Sequence, residues 1–217
     1  MSGGVSAASK NAVGLDDPEE LLQRADAVIA AARPGEQVEV SLGESIDTEI
    51  RAYGGAVESL SSARSVGALV RVIVGGRSGV ATTTLTDPET LACLLVAART
   101  NAAAAGVDPV AAGARPAGVA QPDLELYDPR FELLSVDDKV DLALALEAAV
   151  MSGDPRMSGV EGADYGDSVV VSAVANTAGI RAAQRESGAG LSVYATAAER
   201  GEVAGEAGGA GRDDPAI

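Results

Sequence analysis

Apolar positions recur along this chain with two periods, and each period predicts its own elements. From Asp17 to Ala32 the spacing is helical. Leu21, Ala25, Val28 and Ala32 form one stripe, widened by Leu22 and Ile29. Asp17 is placed to cap that helix, Pro18 suits its first position, and Glu19 and Glu20 face the positive end of its dipole. Pro34-Gly35 stops it. From Gln37 to Leu42 the period drops to two, with Val38, Val40 and Leu42 on one face of a half-buried strand. Between Asp47 and Leu85, three glycine signals divide four strand-forming runs: Gly54-Gly55, Gly67, and Gly75-Gly76 with Gly79. Glycines at this spacing predict reversals between antiparallel neighbours. Leu69 to Val74 is the most apolar run and is expected to be the most buried strand. Its single charge, Arg71, needs either a carboxylate, for which Glu58 is a candidate, or a path to water along its own stem.

Asp87-Pro88-Glu89 opens a second helix whose apolar face is Leu91, Leu94, Leu95, Ala98 and Ala102, and Gly106 marks its end. Residues 107–122 turn to Ala, Gly and Pro without periodicity, as an extended connector does, and Tyr127-Asp128-Pro129 is expected to anchor its far end. Ser135 with Asp138 resembles a capping box for a third helix from Val136 to about Met151, with Val140, Leu144 and Met151 on its apolar side. Four strand candidates follow: Met157 to Tyr165, Ser168 to Ala175, Ile180 to Glu186 and Leu191 to Ala197. The expected fold is α+β. Two helix-plus-antiparallel-meander halves, 16–106 and 123–199, suggest a duplication, with helices packed on one face of a mainly antiparallel sheet. Residues 1–15 are expected to be a disordered tail, and the glycine-dense 200–217 a flexible one.

Composition narrows the chemistry. Ala, Val and Leu supply most of the 47% hydrophobic share; there is one Phe, Phe131, and no Trp. The net charge of −16, from 32 acidic and 16 basic residues, runs against binding to nucleic acid or to an anionic membrane surface. Arg51, Arg64, Arg71 and Arg77 are too interspersed to form an obvious basic patch. The chain contains no His, which removes imidazole bases, Ser-His and Cys-His pairs, and His zinc ligands. Cys93 is the only cysteine and is expected to be a small buried thiol within the second helix. No apolar run reaches the length of a signal peptide core or a membrane span, and a cytoplasmic protein is expected.

Gly75-Gly76-Arg77-Ser78-Gly79 lacks the Lys-Ser/Thr ending of a phosphate loop and precedes a strand, so it reads as a hairpin turn. The Thr82-Thr83-Thr84 hydroxyls suit an exposed strand. Glu58, Glu161 and Asp164 are carboxylates on strands, but their spacing does not bring them together. Asn176 to Gly179 suits a turn with positive φ. On these grounds no residue is assigned a catalytic, cofactor-binding or metal-binding role.

Arg51, Val57-Glu58-Ser59, Gly67, Arg71-Val72, Gly75-Gly76, Gly79, Ala81 and Thr83 together resemble the N-terminal domain of the TldD/PmbA family, called modulators of DNA gyrase in older usage. The resemblance continues through Tyr127-Asp128-Pro129, the helix from Lys139 to Glu147, and Asn176 to Ile180, and so spans about Glu19 to Thr196. It implies the N-terminal domain of a zinc metallopeptidase assembly of the TldD/TldE type, with the C-terminal peptidase-type domain absent from these residues. The lack of His favours the non-catalytic, TldE/PmbA-like side. The implied role is subunit pairing and enclosure of the chamber in which a peptide is cleaved. The implied partner is a TldD-like catalytic subunit or a second copy, with zinc only in the catalytic partner. A stand-alone interaction module, or an inactive truncated remnant, is the alternative.

Overall fold

The computed structural model describes residues 14–116, 124–199 and 202–212, apart from the side chains of Glu132, Glu199 and 202–212. Residues 1–13 of the expected N-terminal tail and 117–122 of the expected connector lie outside the described residues.

Local chemistry sets the helix starts as read from the sequence. Helix α1 runs Pro18–Ala30 with Asp17 accepting from the Glu19 N–H, and α2 runs Pro88–Ala104 with Asp87 accepting from the Thr90 N–H. Helix α3, Val136–Gly153, opens with the capping box: Asp138 N–H donates to Ser135 Oγ, and Ser135 N–H donates back to Asp138 Oδ2. Leu15 and Asp16, ahead of α1, are buried, because Asp16 N–H donates to Glu44 and Arg24 pairs with the Asp16 carboxylate. The expected tail therefore gives way to fixed backbone at Leu15.

The strands are longer and fewer than the sequence suggests. They are β1 Gln37–Tyr53, β2 Ala56–Val74, β3 Arg77–Thr83, β4 Met157–Asn176, β5 Arg181–Glu199 and β6 Glu202–Arg212. The sheet order is β3-β2-β1-β4-β5-β6, so each half of the chain contributes one meander of three strands. Gly54-Gly55, Gly75-Gly76 and Gly179 adopt positive φ and make the reversals, whereas Gly67 and Gly79 do not. Gly67 sits inside β2, where a lone extended glycine leaves the ladder intact. Gly79 serves close packing instead of turning. A Cβ there would lie 2.1 Å from Ala102 N and 2.3 Å from Ala98 O, so α2 rests directly on β3.

The expected flexible tail is also corrected. Residues 202–212 form β6, paired antiparallel with β5 from Ala189↔Arg212 to Glu199↔Glu202. A ladder is made by backbone groups, so a run of Gly and Ala without periodicity can still pair. Leu69–Val74 is buried only in part: Val70, Val72 and Ile73 are covered, while Leu69 and Val74 are more than a third exposed.

The chain forms two compact units. One contains the described residues through 45, with 65–116 and 170–185. Its buried positions come from α1 (Leu21, Leu22, Ala25, Val28), α2 (Leu91, Leu94, Leu95, Ala98, Ala102) and facing strand positions such as Val38, Val40 and Val70. The other contains 46–64, 125–169 and, where described, 186–212. Its core is Ile50, Ala52, Ala143, Val160, Ala163 and Tyr165, with Val140, Leu144 and Leu146 of α3 packed against it. In each unit the helices cover one face of the strands, which is the α+β arrangement expected from the pattern.

Candidate functional site

Even-numbered positions of β1 other than the half-buried Ile46 are buried, so its odd-numbered side chains emerge on the opposite, open face. Within the second unit this presents Arg51. Its guanidinium meets Asp164 of β4 side-on, with Nε to Oδ1 at 2.7 Å and Nη2 to Oδ2 at 3.1 Å. Gly162 makes room for the arginine stem, since a Cβ there would lie 3.1 Å from Arg51 Nε. Donation of these hydrogen bonds to Asp164, then the charge of that carboxylate, raises the pKa of Arg51 further, and Glu58 on β2 adds to the effect. An open cleft of about 760 Å³ surrounds the pair, and Glu49, Glu58, Ser59 and Ser192 are among the residues that line it. Glu58 and Asp164 therefore share one cleft, contrary to the expectation from their spacing, because antiparallel pairing brings distant positions side by side. Glu161 is exposed and is not part of that lining.

The cleft holds three carboxylates against one guanidinium that Asp164 already engages. Its serine hydroxyls have no imidazole anywhere in the chain to activate them. Among the described residues, no group of three or more His, Cys, Asp or Glu side chains is placed to hold a metal ion. What the cleft offers is a polar, anionic surface with hydrogen-bond acceptors and hydroxyls.

The other residues weighed in the sequence take structural positions. Arg71 pairs with Glu39 (3.2 Å) and donates to Ser78 Oγ (3.0 Å), so Glu58 is not its partner. Glu39 also accepts from Ala114 N–H, and Gly76 O accepts from Asp108 N–H, which ties the described part of the connector to the first unit. Arg77 donates to the carbonyl of Ala105. Gly75-Gly76 is the β2–β3 turn, with Val74 opposite Arg77. Thr82 is exposed, and Thr83 Oγ1 accepts from Leu85 N–H. Asn176 closes the β4–β5 turn: its Oδ1 accepts from Ala178 and Ile180 N–H, and its Nδ2 donates to Ala114 O. Asp128 caps a 3-10 turn at Pro129–Leu133 and its N–H donates to Ser187 Oγ, the anchor expected of Tyr127-Asp128-Pro129. Cys93 is exposed and not buried, since it lies off the stripe that Leu91, Leu94 and Leu95 turn inward.

Two buried polar clusters in the second unit were not legible as sites. Glu147 of α3 accepts from both Gly54 and Gly55 N–H (2.7 and 3.0 Å) and so holds the tip of the β1–β2 hairpin. Lys139 Nζ pairs with Asp167 at 2.5 Å, and Tyr165 O–H donates to the same carboxylate at 2.6 Å. Burial, then the hydrogen bond to Asp167, pushes the Tyr165 phenol well above its ordinary range. The available signal was Lys139 itself, one of only two lysines and placed in the first turns of an apolar helix.

Residues 38–105 match the family profile described as PmbA/TldA metallopeptidase domain 1, and residues 129–216 match the PmbA/TldA metallopeptidase central domain. No curated protein matches the chain. Among solved structures, a candidate modulator of a DNA gyrase from Thermotoga maritima is similar at 23% identity and a TM-score of 0.72, covering 91% of this chain and 44% of its own. TldE from Thermococcus kodakarensis is similar at 18% identity and a TM-score of 0.72, with 90% and 43% covered. A candidate modulator of DNA gyrase from Bacteroides thetaiotaomicron gives 23% identity and 0.67, with 88% and 43% covered. The chain thus spans less than half the length of the structures it matches. Those likenesses show the fold, and the two consecutive profiles, which together match most of the chain, show that it belongs to the PmbA/TldD metallopeptidase family.

Proposed function

We propose that this chain is the non-catalytic, TldE/PmbA-like N-terminal portion of a TldD/TldE-type metallopeptidase assembly. It pairs with a catalytic subunit or a second copy and helps enclose the chamber in which a peptide is cleaved. One observation carries the reading: two consecutive domains of a metallopeptidase family occur here in a sequence without a single His. Zinc and the hydrolytic step belong to the partner, and the present residues contribute surface. The halves 16–106 and 123–199, joined by 107–122, act as two copies of one helix-plus-meander module. The cytoplasm is the compartment that suits a chain with one cysteine.

The test is reconstitution. The purified chain is mixed with a family subunit bearing a His-Glu-x-x-x-His motif, and cleavage of an unstructured peptide is followed. The chain alone is expected to be inactive with or without zinc, and to increase cleavage by the partner. Chelator-sensitive cleavage by the chain alone would contradict the non-catalytic assignment.

A further inference from the structure

Strand β3 accompanies β2 only from Ala68 to Val74, whereas β2 begins at Ala56. Among the described residues, the stretch of β2 before Ala68 has β1 on one side and no strand on the other. Every residue from 56 to 65 is exposed, so no helix covers that edge either. An open edge presents a row of backbone donors and acceptors, and chains that must stay apart usually blunt it with proline or lysine. The segment Glu58–Arg64, ESLSSAR, contains neither, and it lies wholly within the second unit.

We propose that this edge pairs antiparallel with the same edge of a second copy of the chain, about a two-fold axis at Ser61. The inference rests on the reading of the chain as a pairing subunit and names the surface used. The charges select the register. With the axis at Ser61, Glu58 of each copy faces Arg64 of the other, Ser59 faces Ala63 and Leu60 faces Ser62. Moving the axis to Leu60 sets Glu58 against Ser62; moving it to Ser62 sets Glu58 against Val66 and Arg64 against Leu60. Only the first arrangement forms two opposite-charge cross-strand pairs, which the isologous symmetry requires to occur together. Ser59, Ser61, Ser62 and Ala63 are small enough for the strands to close, and Leu60, 46% exposed in the single chain, gains cover. Seven residues is an ordinary strand length.

The test uses the full chain in sedimentation, with Glu58→Arg and Arg64→Glu made separately. Each variant puts like charges at both contacts, so each is expected to raise the dimer dissociation constant at least about ten-fold. An equimolar mixture of the two variants regenerates both opposite-charge pairs and is expected to restore association. A misfolded variant cannot produce that rescue. As a second measurement, Ser61→Cys in a Cys93→Ser background places a thiol opposite its own copy, where facing Cα atoms lie about 4.5–5.5 Å apart, within disulfide reach. Mild oxidation is expected to give a covalent dimer. A dimer that ignores the charge variants and does not cross-link through Ser61→Cys would overturn this surface while leaving pairing itself standing. A monomer at every concentration would overturn self-pairing altogether.

Discussion

Tyr165 is where a single side chain makes the clearest claim. Its hydroxyl donates to Asp167, which Lys139 also engages, and all three are largely shut off from water. In the unfolded chain a tyrosine loses its proton near its ordinary value of 10; in the folded chain burial and the Asp167 acceptor hold the proton to higher pH. The folded state therefore binds more protons above about pH 10, and by linkage stability must fall as pH rises through that point. Below it, the contribution is fully present. Denaturant midpoints measured from about pH 9 to 11.5 should decline more steeply in the natural chain than in Tyr165→Phe. Equal slopes would show that the phenol is not protected. The phenol and its buried acceptor could not be foreseen, because nothing local distinguishes Tyr165 and Asp167 from the exposed acids around them. Arg71 teaches the same lesson, as its carboxylate is Glu39 and not Glu58.

At the scale of elements, helices were legible and strand lengths were not. Asp-Pro starts and the Ser135–Asp138 box act within one turn, so the sequence contains the whole of the signal. Strand continuity depends on a neighbour that can lie a hundred residues away, which is why β4 and β5 each run through what read as two strands. Between strands, glycine made the reversal where it came paired or with a capping asparagine; Gly67 and Gly79 looked like turns and are not. The β1–β2 hairpin shows how a helix stabilises a turn. Glu147 supplies acceptors to two glycine N–H groups, and a buried carboxylate contact of this kind is worth about 2 kcal/mol in total. Glu147→Ala is expected to lower stability by about that amount and to speed amide exchange at Gly54 and Gly55. Unchanged exchange at both would mean that the hairpin holds itself.

Over the whole molecule, the two meanders and the family's two domains follow the same order along the chain, yet the open cleft at Arg51 and Asp164 arises only when β1, β2, β4 and β5 lie side by side. Pairing of distant strands, which composition does not contain, decided which carboxylates meet. A net charge of −16 repels a second copy at long range, so association depends on a matched contact and not on general attraction. The claim that matters most is that this chain works by pairing. Sedimentation of the full chain at tens of micromolar, with and without a TldD-like subunit, measures it directly. A dimer of the chain or a stable complex with the partner is expected, and a single monomeric species in both experiments would contradict pairing.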